Sequence, residues 1–272
     1  MEYRLYTPPA PLAQFVKCFW YWEGAPQTHA KEQLMPNGEP AIIINLRDVP
    51  LRIYEPNELS RSESFGLAVL SGPRSQPFVI DTEQEDRVFG IEFQPGGSFP
   101  FFRVPSSEFA NGGVSLECLW RGRVNELRER LLESPGINGM FDLTQRFLMR
   151  QAVRRFELHP GVMFALHRFC ARPHSTTVAS VLDRIGLSHR RFAQVFHDQV
   201  GLTPKAFSRV QRFQRVLTIV HRAQEIDWAG VALDCGYYDQ AHFIHDFQTF
   251  SGFTPTVYAA RATEHLNHVP LM

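Results

Sequence analysis

Apolar positions change their spacing along this chain. Through about residue 113 they come in short runs broken by Pro, Gly, Ser, Asn and charged residues. Residues 12–22 pass from a short helical turn into an aromatic strand, and Pro36-Asn-Gly-Glu-Pro40 forms a turn before a buried strand over 41–46. Further strands are predicted over 52–54, 65–70, 78–80 and 88–93. Short strands at intervals near ~10 residues predict a sandwich or barrel. Gln94-Pro-Gly-Gly97 ends this part, and Phe99-Pro-Phe-Phe102 follows it.

From Ser115 the apolar spacing becomes helical. Leu116, Leu119, Val124, Leu127, Leu131 and Leu132 carry it, with an interruption at Gly122 and a break at Pro135-Gly136. It resumes over 141–156, anchored by Phe141, Phe147, Leu148 and Val153, and Pro160-Gly161 starts a further helix through Cys170. The remainder then says one thing twice. Phe192-x3-Phe196 followed by Gly201-Leu-Thr-Pro204 recurs as Phe243-x3-Phe247 followed by Gly252-Phe-Thr-Pro255. Such a repeat marks paired units that share a core.

Each copy reads as helix, tight turn, helix. Val178, Val181, Leu182 and Ile185 form an amphipathic stripe. Gly186 ends that helix because it takes the left-handed conformation cheaply. Ser188 caps the next helix, and Asp239 does the same in the second copy after Gly236. A Gly-bearing turn between two helices outlines a helix-turn-helix, whose second helix enters a DNA major groove. Phe207, Val210, Phe213, Leu217 and Val220 stripe a long helix between the copies. Its length from Pro204 to about Arg222 is roughly 27 Å at ~1.5 Å per residue. Successive major grooves on one DNA face lie about 34 Å apart, so one linking helix with offset units can serve both.

These residues resemble the DNA-binding domain of AraC/XylS-type regulators. The resemblance rests on Gly186-Leu-Ser188, Phe196, Gly201-Leu-Thr-Pro204, Arg212, Ala232, Gly236-Tyr237, Asp239-Gln240, Phe243, Phe247, Gly252-Phe-Thr-Pro255 and Tyr258. It covers about a third of the chain. Leu182 and Trp228 are bulkier than the family pattern at their positions. For Arg212 the resemblance implies an interdomain salt bridge, with Asp234 or Asp183 as partner. Pro36-Asn-Gly38, Ile43-Ile-Asn45-Leu46, Gly72-Pro-Arg74 and Phe93-Gln-Pro-Gly-Gly97 resemble, more weakly, the jelly-roll, cupin-like sensor domains attached to such regulators. That implies a sensing or dimerisation module and names no effector.

The fold class read from all this is α+β. A β-rich, jelly-roll or cupin-like domain spans residues 1–113, and a helical connector, which could dimerise, spans 114–158. An all-α domain with two helix-turn-helix units on a long helix spans 159–262, and 263–272 form a tail.

Charge sharpens the division. The whole chain of 272 residues is neutral, with 28 basic and 28 acidic side chains, but residues 159–272 carry 11 basic against 8 acidic. Ten of the 11 histidines also lie there. The asymmetry has the sign expected for a DNA-binding half joined to a separate sensing half. Cys18, Cys118, Cys170 and Cys235 are dispersed, which favours reduced thiols in a cytoplasm over a disulfide framework or zinc site. No signal peptide or membrane span is read.

The candidate DNA contacts follow from helical geometry. In the first recognition helix His189, Arg190, Ala193, Gln194 and His197 lie away from the Phe192/Phe196 face. There Gln194 suits adenine, Arg190 guanine or phosphate, and His189 phosphate. In the second, Gln240, Ala241, Ile244 and His245 correspond, with His242 beside them. Ala241 and Ile244 offer apolar contacts only, so this helix reads as the poorer direct reader. Lys205, Arg209 and Arg261 are candidate phosphate contacts.

Rival chemistry is thin. His29 is the single histidine of the first 158 residues, which argues against a multi-histidine metal centre there. His242 and His245 share a helix face with Asp246 nearby, yet nothing completes four ligands. No catalytic residue, metal or cofactor is expected. Trp20, Trp22, Ile44 and Phe93 could line an apolar cavity, and Glu32, Asn45 and Arg74 could orient a polar ligand, but no effector site is assigned. Duplex DNA is the expected partner. RNA polymerase, a small-molecule effector and a second copy of the chain are further expected partners, with no membrane. Two other classes stay open: a metal-independent enzyme on the barrel, and an architectural DNA binder without an effector.

Overall fold

The computed structural model describes residues 2–24, 29–82, 86–223 and 225–271. Ten strands come first: β1 Glu2–Tyr6, β2 Val16–Glu23, β3 Lys31–Leu34, β4 Ala41–Asn45, β5 Arg52–Glu55, β6 Glu58–Ser64, β7 Ala68–Ser71, β8 Phe78–Asp81, β9 Arg87–Phe93 and β10 Gly113–Ser115. Three helices follow, α1 Leu116–Trp120, α2 Arg123–Leu132 and α3 Ile137–Gln151. Seven more complete the C-terminal half: α4 Pro160–Ala171, α5 Val178–Ile185, α6 His189–Val200, α7 Pro204–Arg222, α8 Trp228–Asp234, α9 Gln240–Ser251 and α10 Pro255–Arg261. An eleventh strand, β11 His268–Leu271, closes the order. The architecture is α+β, a two-sheet β-rich part followed by a helical region.

Two antiparallel sheets result, one ordered β1-β2-β9-β4-β7-β10 and the other β11-β3-β8-β5-β6. Side chains alternate between faces along a strand, and that alternation decides where the core sits. Ile42 and Ile44 join Phe19, Tyr21, Leu70, Phe89, Ile91 and Phe93 on one face of the first sheet, under Trp120, Leu127 and Phe141 of the connector helices. Phe141 lies 5.9 Å from Phe89 and 5.4 Å from Tyr6, ring to ring. The opposite parity, Trp20, Ile43 and Val69, faces the second sheet. Only a small cluster of Leu51, Phe65 and Val69 with Ile43 and Ile53 packs there. The main N-terminal core therefore lies between sheet and helices, and room is left between the sheets.

Several expectations need correction. The third helix stops at Gln151 rather than near 156, and Val153 is exposed. The segment after it turns back: the Val153 N–H donates to the Pro100 carbonyl (2.9 Å), and the Arg154 guanidinium donates to the carbonyls of Phe99, Phe102 and Arg103. β6 carries no apolar side chain alternation, and all seven of its residues are exposed. The supposed tail contains β11, which pairs antiparallel with β3, placing His268 opposite Leu34 and Pro270 opposite Glu32.

The C-terminal half has two cores strung on α7. Val162, Phe169, Val181, Phe192, Phe196 and Phe207 form the first. Phe213, Leu217, Val231, Phe243, Phe247 and Tyr258 form the second, joined there by Met35 and Val269 from outside the helical half. The repeated Gly-x-Thr-Pro has a plain physical meaning. Gly201 (φ 91°) and Gly252 (φ 71°) stop one helix in the left-handed region. Thr203 and Thr254 then cap the next through their hydroxyls, and Pro204 and Pro255 occupy its first positions.

The two halves are packed together. The Gln211 and Gln214 amides on α7 donate to the carbonyls of Asn37 (3.0 Å) and Pro36 (2.8 Å). Ser106 Oγ donates to the Gln199 carbonyl (3.0 Å), and the Gln33 amide to that of Ser251. A Cβ at Gly201 would lie 2.4 Å from Pro73, so only glycine permits that approach.

Candidate nucleic-acid interface

The first helix pair is held by caps at both ends of its turn. Thr177 and Ser180 form a reciprocal capping box at the start of α5, and Gly186 (φ 64°) ends it. Ser188 Oγ then accepts from the Arg191 N–H (3.3 Å) to start α6. Because Phe192, Val195, Phe196 and Val200 are buried, the other side of α6 is forced outward. His189, Arg190 and Gln194 are exposed there, with Ala193 half-buried. Gln194 Nε2 donates to Asp198 Oδ1 on the next turn (2.8 Å), so a neighbour already orients its amide.

The second pair is built alike. Asp227 caps α8, and Gly236 (φ 75°) makes the turn. Asp239 Oδ1 accepts from the His242 N–H (2.7 Å) at the start of α9. A Cβ at Gly236 would lie 2.1 Å from the His174 carbonyl oxygen, so this turn rests against the chain just before α5. Phe243, Phe247 and Phe250 are buried, which leaves Gln240, Ala241, His242 and His245 exposed and Ile244 half-buried.

Between the units lies a cleft lined by Thr176, Thr177, Lys205, Arg209, Arg212, His242, His245 and Asp246. It gathers four of the sequence candidates, Lys205, Arg209, His242 and His245, with Arg212 beside them. The candidates on α6, and Gln240 and Ala241 at the start of α9, lie outside it. Arg261 is set apart at the end of α10, its guanidinium 5.4 Å from the Phe253 ring.

The cleft contains one strong ion pair. Arg209 Nη2 donates to Asp246 Oδ1 at 2.6 Å, and Asp246 is almost wholly buried. That hydrogen bond and charge hold the Arg209 guanidinium still further toward its charged form. His242 Nε2 lies 3.8 Å from the same carboxylate. The pairing expected at Arg212 thus falls one turn earlier on α7. Arg212 instead donates to the Gly236 carbonyl (3.2 Å), and its guanidinium lies 5.4 Å from the Tyr237 ring. Among the described residues no group of three or more His, Cys, Asp or Glu is arranged to hold a metal.

Tyr238 escaped the sequence reading. It is 93% exposed at the entrance to α9, next to the Asp239 cap, while Tyr237 beside it is buried. Its position after a Gly turn and before a capping Asp was the available signal.

Compared with known families, residues 181–261 match the Helix-turn-helix domain. These residues are an AraC-type helix-turn-helix domain. A second match, to a Domain of unknown function (DUF6597), covers residues 4–115, the β-rich part ahead of the AraC-type domain. An uncharacterized HTH-type transcriptional regulator from Haemophilus influenzae is 22% identical over 122 residues. The match spans 41% of this chain and 41% of that relative's length. Among solved structures, ToxT from Vibrio cholerae covers 96% of this chain and 98% of its own at 10% identity, with a TM-score of 0.46. The DNA-binding domain of AdpA, solved with a target DNA, covers 37% of this chain and 90% of its own at 20% identity and a TM-score of 0.34. Among the described residues no helix is long and apolar enough to cross a membrane.

Proposed function

We propose that this chain is a sequence-specific DNA-binding transcription regulator of the AraC type and not an enzyme. It would act in the cytoplasm under control of a small molecule bound by its N-terminal domain. The carrying observation is the AraC-type domain itself: two capped helix pairs on the 19-residue α7, with basic side chains gathered in the cleft between them. His189, Arg190, Ala193 and Gln194 would meet one major groove, Gln240, Ala241, His242 and His245 the next, and Lys205 and Arg261 the phosphates. Arg209, held by Asp246, would add its remaining donors to the backbone. RNA polymerase and a second copy of the chain are the further partners of this reading.

Selection of binding sites from random duplex DNA by the full chain tests it. A regulator enriches a motif with two blocks about one helical turn apart. Uniform affinity for every sequence would instead favour an architectural binder. No enrichment and no affinity above that of an unrelated neutral protein would end the DNA reading.

A further inference from the structure

The gap between the two sheets is a cavity of about 220 Å³. Its apolar lining comes from Trp20, Ile43, Val69, Phe78 and Ile80, the side-chain parity that the main core does not use. An apolar cavity of about 150 Å³ accommodates benzene, so on that scale this one holds a compact molecule of about nine non-hydrogen atoms.

Its charged lining is unequal. Glu39 and Glu92 share Lys17, at 2.8 and 3.7 Å. Burial raises the Glu39 carboxyl toward its neutral form, against the pull of Lys17. Asp81 accepts from the Tyr54 hydroxyl (3.0 Å). Arg74 is different. It is buried, yet its hydrogen-bond and ring neighbours are neutral: Nη1 donates to the Asn111 carbonyl (3.0 Å), Nε is 3.4 Å from Ser71 Oγ, and the guanidinium stacks 4.1 Å from the Phe78 ring. Glu63 favours its charged form through space, without an ion pair to it among the described residues. A guanidinium has five donors, and a buried charge without an opposite charge is costly.

The cavity wall is also a contact surface. Met35, Pro36 and Asn37 line it. Met35 is buried in the second helix-turn-helix core, and the carbonyls of Pro36 and Asn37 accept from α7. Asn267 and His268, at the start of β11, line it too. A molecule filling the cavity therefore presses on the segments that hold the linking helix.

We propose that this cavity binds a compact monocarboxylate, its carboxylate on Arg74 and its apolar body against Trp20, Ile43 and Val69, and that residues 34–39 transmit its occupancy to α7. The transmission step rests on the regulator reading; the ligand site does not.

The test uses the full chain with three acids of about that size, cyclohexanecarboxylate, hexanoate and phenylacetate, each beside its neutral primary amide. Binding is read by calorimetry and by melting temperature at millimolar ligand. At least one acid is expected to bind on the order of tenfold tighter than its amide, the margin of a charge-assisted hydrogen bond. Arg74→Gln should abolish that preference and Arg74→Lys should retain part of it. Ile43→Phe, which fills the cavity and leaves Arg74 in place, should abolish binding in a chain whose melting stays cooperative. No stabilisation by any acid, or equal binding of acid and amide, would overturn the ligand class. Binding untouched by Ile43→Phe would overturn the cavity. For transmission, affinity for a selected DNA site should change at least about threefold on adding the acid, and unchanged affinity would overturn that part. A chain that binds the acid through Arg74 but binds no DNA would sink the regulator reading and leave the ligand site standing.

Discussion

Asp246 is a charged side chain inside a phenylalanine-rich core, tolerated because Arg209 meets it at 2.6 Å. Hydrogen bonds to charged groups contribute about 1.5–3 kcal/mol, so Asp246→Asn should lower unfolding stability by about 2 kcal/mol in denaturant titration. A loss below about 0.5 kcal/mol would mean that the pair is incidental. Gln194 is the residue for reading specificity. Gln194→Ala should relax preference at one or two base positions, costing ~1–3 kcal/mol if its contact is bidentate, whereas Ala241→Ser should do little. Binding-site selection on both variants checks the ranking, and the reverse order would refute the inequality of the two helices. The sequence made Gln194 visible because two phenylalanines four apart fix the buried side of α6, and position 194 falls away from it. It could not reveal that Arg209 rather than Arg212 takes the carboxylate. That choice depends on the rotation of α9 against α7, which no spacing within either helix records.

At the scale of elements, legibility followed apolar content. β2, β4, β8 and β9 stood out because their buried side chains are Phe, Val and Ile, and the Gly-x-Thr-Pro stops marked the helix ends by their own chemistry. β3, with the sequence Lys-Glu-Gln-Leu, and the fully exposed β6 had no such signal, since their stability comes from partners distant in sequence. β11 was read as tail for the same reason. Besides the single buried Val269 its anchor is polar: Glu32 receives His29 Nε2 at 2.6 Å and His268 Nδ1 at 2.8 Å. Burial raises the Glu32 pKa, but the bonds and charges of His268 and then His29 outweigh it, and the net direction is down. A carboxyl depressed in the folded chain contributes stability above its ordinary value and loses it as pH falls through the depressed one. Protection of the 268–271 amides against hydrogen exchange should therefore fall as the pH drops below the ordinary carboxylate range, ahead of global unfolding. Glu32→Gln should exchange faster at pH 7 and lose that acid step. An unchanged step in the variant would assign it to another group.

The whole molecule sets how strongly it can hold DNA. With the Arg209 charge largely neutralised by Asp246, Lys205 and Arg261, together with Arg190 at the rim of its groove, remain as the charges that displace counterions at the proposed interface. Each contributes about −0.9 to the slope of log affinity against log salt, which predicts roughly −3 per monomer. A slope near zero would remove the electrostatic basis of the DNA reading, and one near −6 would show that basic residues outside this set take part. Residues 159–262 produced alone should be less stable than in the full chain, because Met35 and Val269 complete the second helix-turn-helix core from outside that span. The pairing of β11 with β3 also orders events in time. At about 5–20 residues per second, the ribosome needs roughly 10–50 s after making β3 to reach residue 271. Throughout that interval β3 is an open sheet edge, the kind of surface to which other chains add. A strand of four residues carrying Lys31 and Glu32 is poorly suited to such capture. Pro270, which has no N–H to donate, then blunts the new edge once β11 has docked. The polar composition that hid β3 from the hydrophobic pattern is thus what lets it wait on the ribosome with one edge open without recruiting a neighbour.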